Sequence, residues 1–115
     1  MARLKSFGQT IRALRETKQI SLRAFAATVG MSATYLSKVE RDNFPPPGEE
    51  KILAIAKALG EDGDELLALA GRVASDLPVI IQQHPKAMAS FVRATKGLST
   101  AEIERLARQV LKRKC

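Results

Sequence analysis

The chain has 115 residues and a formal net charge of +7, with 45% hydrophobic but only 4% aromatic residues. That size fits one ordinary domain or a small domain with an appendage, and a core built from Leu, Ile, Val and Ala suits helices. One cysteine (Cys115) and one histidine (His84) exclude an intramolecular disulfide and a four-ligand zinc site.

No apolar run approaches the ~18 residues of a membrane span. Met1 to Lys5 lead into patterned sequence with no signal-peptide stretch, so the expected location is the cytoplasm. Leu4, Phe7, Ile11 and Leu14 recur at spacings of three and four, the stripe of a helix over about 4–17. Ser21 caps a second helix whose Leu22, Phe25, Ala26 and Val29 face inward, and Gly30 ends it. Ser32 caps a third, which carries Leu36 and Val39 and runs to about Arg41. Asp42 to Gly48 is a loop, because Pro45, Pro46 and Pro47 hold the backbone extended. A fourth helix presents Ile52, Leu53, Ile55, Ala56 and Leu59, with Glu49 and Glu50 in its first turn and Gly60 as its stop. A short fifth helix, about 64–70, ends at Gly71.

Residues 72–115 also read as helical. Pro78 and Pro85 mark the two ends of a segment at 76–83, and a second segment over 86–95 stops at Gly97. Ser99, with Glu102 three residues on, forms a capping box for a last helix striped by Ile103, Leu106, Val110 and Leu111. With no strand alternation and no internal repeat, the expected class is all-α: five helices within 1–71 and a helical extension over 72–115.

Charge is unevenly placed. Residues 1–43 carry eight basic and three acidic side chains, 44–71 two and six, and 72–115 nine and three. A basic head, an acidic middle and a basic tail suit nucleic acid, an acidic lipid or an acidic protein without choosing among them.

The stretch Ser21 to Arg41 is the most informative. Ala26 is small where two short helices must approach closely, Gly30 supplies a turn that favours positive φ, and Leu36 and Val39 pin the second helix on the first. These are the physical requirements of a helix-turn-helix. The sequence resembles the Cro and lambda-repressor class of helix-turn-helix regulators, the xenobiotic-response-element (XRE) family. The resemblance covers about residues 3–71 and is carried by Ile11 to Arg15, Ser21 to Ala26, Val29 to Ser32, Tyr35 to Arg41, Ile52 to Gly60 and Asp64 to Leu67. It implies a five-helix lambda-repressor-like domain over 1–71 that lays its third helix in the major groove of double-stranded DNA.

On a helix starting at Ala33, the positions opposite Leu36 and Val39 are Ala33, Thr34, Ser37, Lys38 and Arg41. The implied base readers are Thr34 and Ser37 by hydrogen bonds, Lys38 at a guanine edge, and Ala33 by apolar contact with a thymine methyl. The implied backbone contacts are Arg23, Ser32, Tyr35, Arg41 and Asn43. Each has a plainer reading. Ser32 is an N-cap, Lys38 and Arg41 touch only phosphates, Arg23 is solvated, and Tyr35 either packs on the scaffold or donates to a phosphate. Glu40 pairs with Arg15 or Arg12 of the first helix.

Three positions depart from the family pattern: Leu22 replaces a common Gln, Ala33 a long polar base reader, and Asp42-Asn43 the Gly that usually follows Glu-Arg. Asn43 tolerates left-handed geometry and is expected to end the helix in place of that Gly.

The tail residues Leu77, Val79, Ile80 and Ile81, then Met88, Phe91 and Val92, then Ile103, Leu106 and Val110, are too apolar to stay exposed. They pack on the head or pair with a second copy, and a homodimer through the tail is the favoured expectation. Arg105, Arg108, Lys112, Arg113 and Lys114 either add phosphate contacts or form a solvated face. The favoured reading is a repressor of bacterial or phage type that binds an inverted repeat. The alternative is an antitoxin-type module whose residues 72–115 hold a protein partner. Catalysis is not expected: His84 lies in a turn with no nucleophile or paired acid nearby, Asp62, Asp64 and Glu65 lack an EF-hand pattern, and no cofactor-binding glycine loop is present.

Overall fold

The computed structural model describes residues 5–114, and the first helix already shows how local chemistry sets the boundaries. Helix α1 (Phe7–Thr17) begins three residues later than its apolar spacing suggests, because Ser6 stops it. Ser6 Oγ accepts from the Gln9 N–H at 3.1 Å, and the Gln9 side chain accepts from the Ser6 N–H at 3.1 Å, a complete capping box. Leu4, expected in the same stripe, lies outside the described residues.

Helices α2 (Leu22–Val29) and α3 (Ala33–Glu40) are capped by Ser21 and Ser32 in the expected way. Gly30 takes φ 72° between them, a left-handed conformation that costs a glycine little. Helix α4 (Glu49–Leu59) carries its two acids in the first turn, and α5 (Gly63–Leu69) is capped by Asp62. Among the described residues the class is all-α, with no strand.

The stripes of α1 to α5 meet in one core. Ile11, Phe25, Leu36, Ile52, Ile55, Leu59 and Leu67 are essentially inaccessible, and Phe7, Ala26, Val29, Val39, Ala56 and Leu66 join them. Burial of one such aliphatic side chain contributes roughly 1.5–3 kcal/mol. Leu53 does not belong to this set. It is 40% exposed, because it lies one residue round from the Ile52, Ile55, Ala56 and Leu59 stripe. Its side chain sits instead beside Gly63, where an added Cβ would meet Leu53 Cδ2 at 2.7 Å.

Compactness divides the chain after Ala74. The second unit comprises α6 (Asp76–Gln83), α7 (Pro85–Ala94) and α8 (Thr100–Lys114). Helix α7 takes Pro85 as its first residue, one earlier than expected, a position where the missing N–H is no loss. The predicted capping box opens α8: Ser99 Oγ accepts from the Glu102 N–H at 3.1 Å, and the Glu102 carboxylate accepts from the Ser99 N–H at 3.1 Å. The Ser99 N–H bond to the carboxylate, and after it the Ser99 side chain, favour ionised Glu102 and hold its pKa below the usual value. No described residue of α6, α7 or α8 is buried.

Candidate nucleic-acid interface

The outer surface of α3 is a candidate interface only if the helix is rigidly seated, and three attachments seat it. The first is its own stripe, Leu36 and Val39, sunk into the core. The second is an ion pair. Glu40, on the last turn of α3, accepts from Arg15 Nε at 2.8 Å and from Arg15 Nη2 at 3.0 Å, a two-pronged pair. Only 11% of the Arg15 side chain and 3% of the Glu40 side chain are exposed. Arg15 Nη1 also donates to the Ile20 carbonyl at 2.8 Å, so the guanidinium ties α1, the α1–α2 turn and α3 together. The hydrogen bond to Glu40 outweighs burial and raises the Arg15 pKa. Of the two expected partners, Arg15 is the one that pairs with Glu40, while Arg12 makes a longer 3.5 Å pair with Glu16 on the surface.

The third attachment lies at the C-terminal end of α3. Asp42, not Asn43, takes the left-handed conformation, at φ 63°. Its two carboxylate oxygens, each 2.8 Å from Ser6 Oγ, share that hydroxyl's single proton, which binds the start of α1 to the end of α3. The left-handed position is thus the one whose side chain is held by Ser6, the N-cap of α1. Gly8 makes the close approach possible. A Cβ there would collide with the Val39 carbonyl oxygen and crowd the Glu40 carbonyl. The sequence reading missed this Ser6, Gly8 and Asp42 contact, whose local signals are two ordinary loop residues and a helical glycine.

The predicted contact residues fall as follows. Thr34 is exposed on the first turn of α3, and Ser37 and Lys38 are half-buried one turn on. Ala33 is also half-buried and packs against the edge of the core, so it is less outward than expected. Ser32 Oγ accepts from the Tyr35 N–H at 3.0 Å, the cap role. Ser32 is itself exposed at this helix N-terminus, the end of a helix that favours an anion. Arg41 is exposed, and its Nε donates to the Ser37 carbonyl at 3.3 Å. Arg23 and Asn43 are exposed on separate elements, the start of α2 and the loop after α3. Leu22 is half-buried and packs on the core, with Arg15, Ser37 and Glu40 around it.

Tyr35 is partly exposed and packs against Phe44 of the following loop. Its ring meets that of Phe44 with centroids 5.6 Å apart and planes at 51°. Lys38 Nζ sits 5.0 Å from the centroid of the same Phe44 ring. The available signal for Phe44 was an aromatic beside three prolines, in a chain with one Tyr and four Phe.

Comparison with known proteins agrees with this geometry. Two uncharacterized HTH-type transcriptional regulators of Mycobacterium tuberculosis, from strains CDC 1551 and H37Rv, are each 41% identical over 64 residues. The match covers 56% of this chain and 45% of theirs, so the chain spans less than half the length of those curated relatives. The solution structure of the DNA-binding domain of the P22 c2 repressor is 36% identical at a TM-score of 0.51, covering 57% of this chain and 86% of that one. The P22 c2 repressor in complex with a synthetic operator is 36% identical at 0.50, covering 55% and 94%. The SinR/SinI complex shares the fold over 94% of this chain and 97% of that one, at 22% identity and a TM-score of 0.51. A family model described as "Helix-turn-helix domain" matches residues 6–69, more than half the chain, and with these likenesses it shows that the protein belongs to that family, in the Cro and lambda-repressor class.

Proposed function

We propose that this protein is a sequence-specific double-stranded DNA-binding transcriptional regulator, a cytoplasmic repressor of bacterial or phage type. It binds an inverted-repeat operator as a homodimer and represses by covering a promoter. One observation carries the reading: α3 presents Thr34, Ser37 and Lys38 on a surface locked from behind by the Arg15–Glu40 pair. A reading helix must hold its donors in register with base edges, and a helix free to rock would blur that register.

Thr34 and Ser37 exchange hydrogen bonds with base edges, and Lys38 donates to a guanine edge. Ala33 adds apolar contact at its exposed margin. Arg23, Ser32, Tyr35, Arg41 and Asn43 contact the phosphate backbone and set the register without reading sequence. One head reads one half-site. Two heads joined through residues 72–115 would read half-sites about 34 Å apart. The support for that joint is the apolar surface of the second unit: Leu77, Ile80, Phe91, Ile103 and Leu106 are all more than a third exposed in the single chain.

A second reading rests on the same surface. The groove lined by Phe91, Ile103, Leu106, Val110 and Leu111 carries Lys114 at its margin, a setting suited to an acidic partner protein, as in an antitoxin. The deciding experiment measures binding to DNA from the protein's own upstream region and to random duplex, at two salt concentrations. A preference of about 10³ or more for the upstream DNA at physiological salt is the expected result. Equal, steeply salt-dependent binding to both would overturn the regulator reading and leave the partner-protein reading.

A further inference from the structure

Phe44 is an exposed aromatic in a loop, yet the chain invests heavily in placing it. After α3 the backbone turns back on itself. The Asn43 and Phe44 N–H groups both donate to the Lys38 carbonyl, at 2.8 and 3.2 Å. Beyond Phe44 the run Pro45 to Pro47 holds the chain extended, and Pro47 is buried. Phe44 is therefore bracketed by two hydrogen bonds on one side and a stiff anchored segment on the other. Its ring lands beside two residues of α3 that share one face, Tyr35 and Lys38, three positions apart.

The consequence concerns Lys38. A lysine is a point charge on a flexible stem, and ordering it against a base costs side-chain entropy. A cation held over an aromatic face loses part of that freedom beforehand. Tyr35 also meets the Phe44 ring, with its plane tilted by 51°.

We propose that Phe44 is a positioning residue for Lys38: its ring holds the ammonium at one place on the outer surface of α3 and so sharpens discrimination among DNA sequences. The role rests on the DNA-regulator reading above. It differs from a phosphate contact, which would strengthen binding to every duplex alike. It also differs from a plain packing role, which any side chain of similar bulk would fill.

The test uses the full chain, a duplex enriched by it from a random-sequence pool, and a scrambled duplex of the same composition. Five proteins are compared with the parent: Phe44→Ala, Phe44→Leu, Phe44→Tyr, Lys38→Ala and the Phe44→Ala, Lys38→Ala double variant. Phe44→Ala and Phe44→Leu are expected to lower the preference for the enriched duplex about fivefold, the scale of one cation–π contact, while Phe44→Tyr retains it. The loss should vanish in a Lys38→Ala background. Independently of DNA, the Lys38 side-chain methylene protons should show an upfield ring-current shift in the parent and in Phe44→Tyr, and lose it in Phe44→Leu. Additive losses for Phe44→Ala and Lys38→Ala, or full discrimination by Phe44→Leu, would overturn the positioning role alone. Failure of the parent to enrich any duplex would overturn the regulator reading and the positioning role with it.

Discussion

The two units use the same helical vocabulary to different ends. Residues 5–74 turn the stripes of five helices toward one another, and Ile11, Leu36, Ile52, Ile55 and Leu67 end with no measurable exposure. Residues 75–114 have stripes as apolar as those of the head, yet Ile80, Phe91, Val92, Ile103 and Val110 are 41–54% exposed. Side-chain caps occur in both: Ser6 opens α1 and Ser99 opens α8 with the same reciprocal pattern, though α6 and α7 start without one. Local signals thus specify a helix equally well whether or not its stripe is covered. Ordering a residue costs roughly 1–2 kcal/mol of backbone entropy, which the head offsets by burial. The tail, at about the size below which lone domains need extra support, has no comparable burial within one chain. That shortfall is the physical case for a covering surface from a second copy or a partner.

The comparison breaks first where the head is most tightly tied. Glu40→Ala leaves the partly buried Arg15 without its carboxylate and is expected to cost about 3 kcal/mol, the low end for a broken buried pair, read as a lower urea midpoint with faster amide exchange concentrated in α1 to α3. A loss below 1 kcal/mol would show that the pair contributes little to seating α3. Gly8→Ala comes next. Its Cβ meets the Val39 carbonyl, so a destabilisation of about 1–3 kcal/mol is expected in thermal unfolding.

Lys38→Ala and Thr34→Ala should each reduce operator-over-random discrimination by about 1–3 kcal/mol with little change in stability, whereas Arg23→Ala should weaken both duplexes alike. The reverse pattern in a binding titration would relocate the reading surface. In the tail the doubly substituted Phe91→Ser, Leu106→Ser chain should keep the head's stability within about 0.5 kcal/mol. Its mass in sedimentation should fall from dimer to monomer. An unchanged mass would separate assembly from this surface.

The smallest effect is at Ser99 and Glu102. The Glu102 pKa is held low, so the contribution of its cap is present at neutral pH. It is lost as pH falls through that lowered value, below the usual carboxylate range. Amide exchange at Ser99 should quicken over that acid window in the parent and show no such pH step in Glu102→Gln.

Helix number, the ends of α2 and α6 and the core residues Phe25, Val29, Leu36 and Val39 were readable along the chain, and α3 and α5 differ from the expected bounds by one residue. Each is set by residues within a few positions of one another: a serine three before an N–H, a glycine at the exit, apolar side chains every third or fourth place. The start of α1 shows the limit of periodicity, since a stripe can continue past a cap that stops the helix. The choice of Arg15 over Arg12, of Asp42 over Asn43 and of an exposed Leu53 was not readable that way. Arg15 and Glu40 lie 25 residues apart, and Ser6 and Asp42 lie 36 apart. Such pairs form only when the packing of α1 against α3 has set the distance between them, and Phe44 finds Lys38 only because the loop folds back over its own helix. Local sequence decides where hydrogen bonds within a turn are satisfied; tertiary packing decides which distant charges and rings are left facing each other.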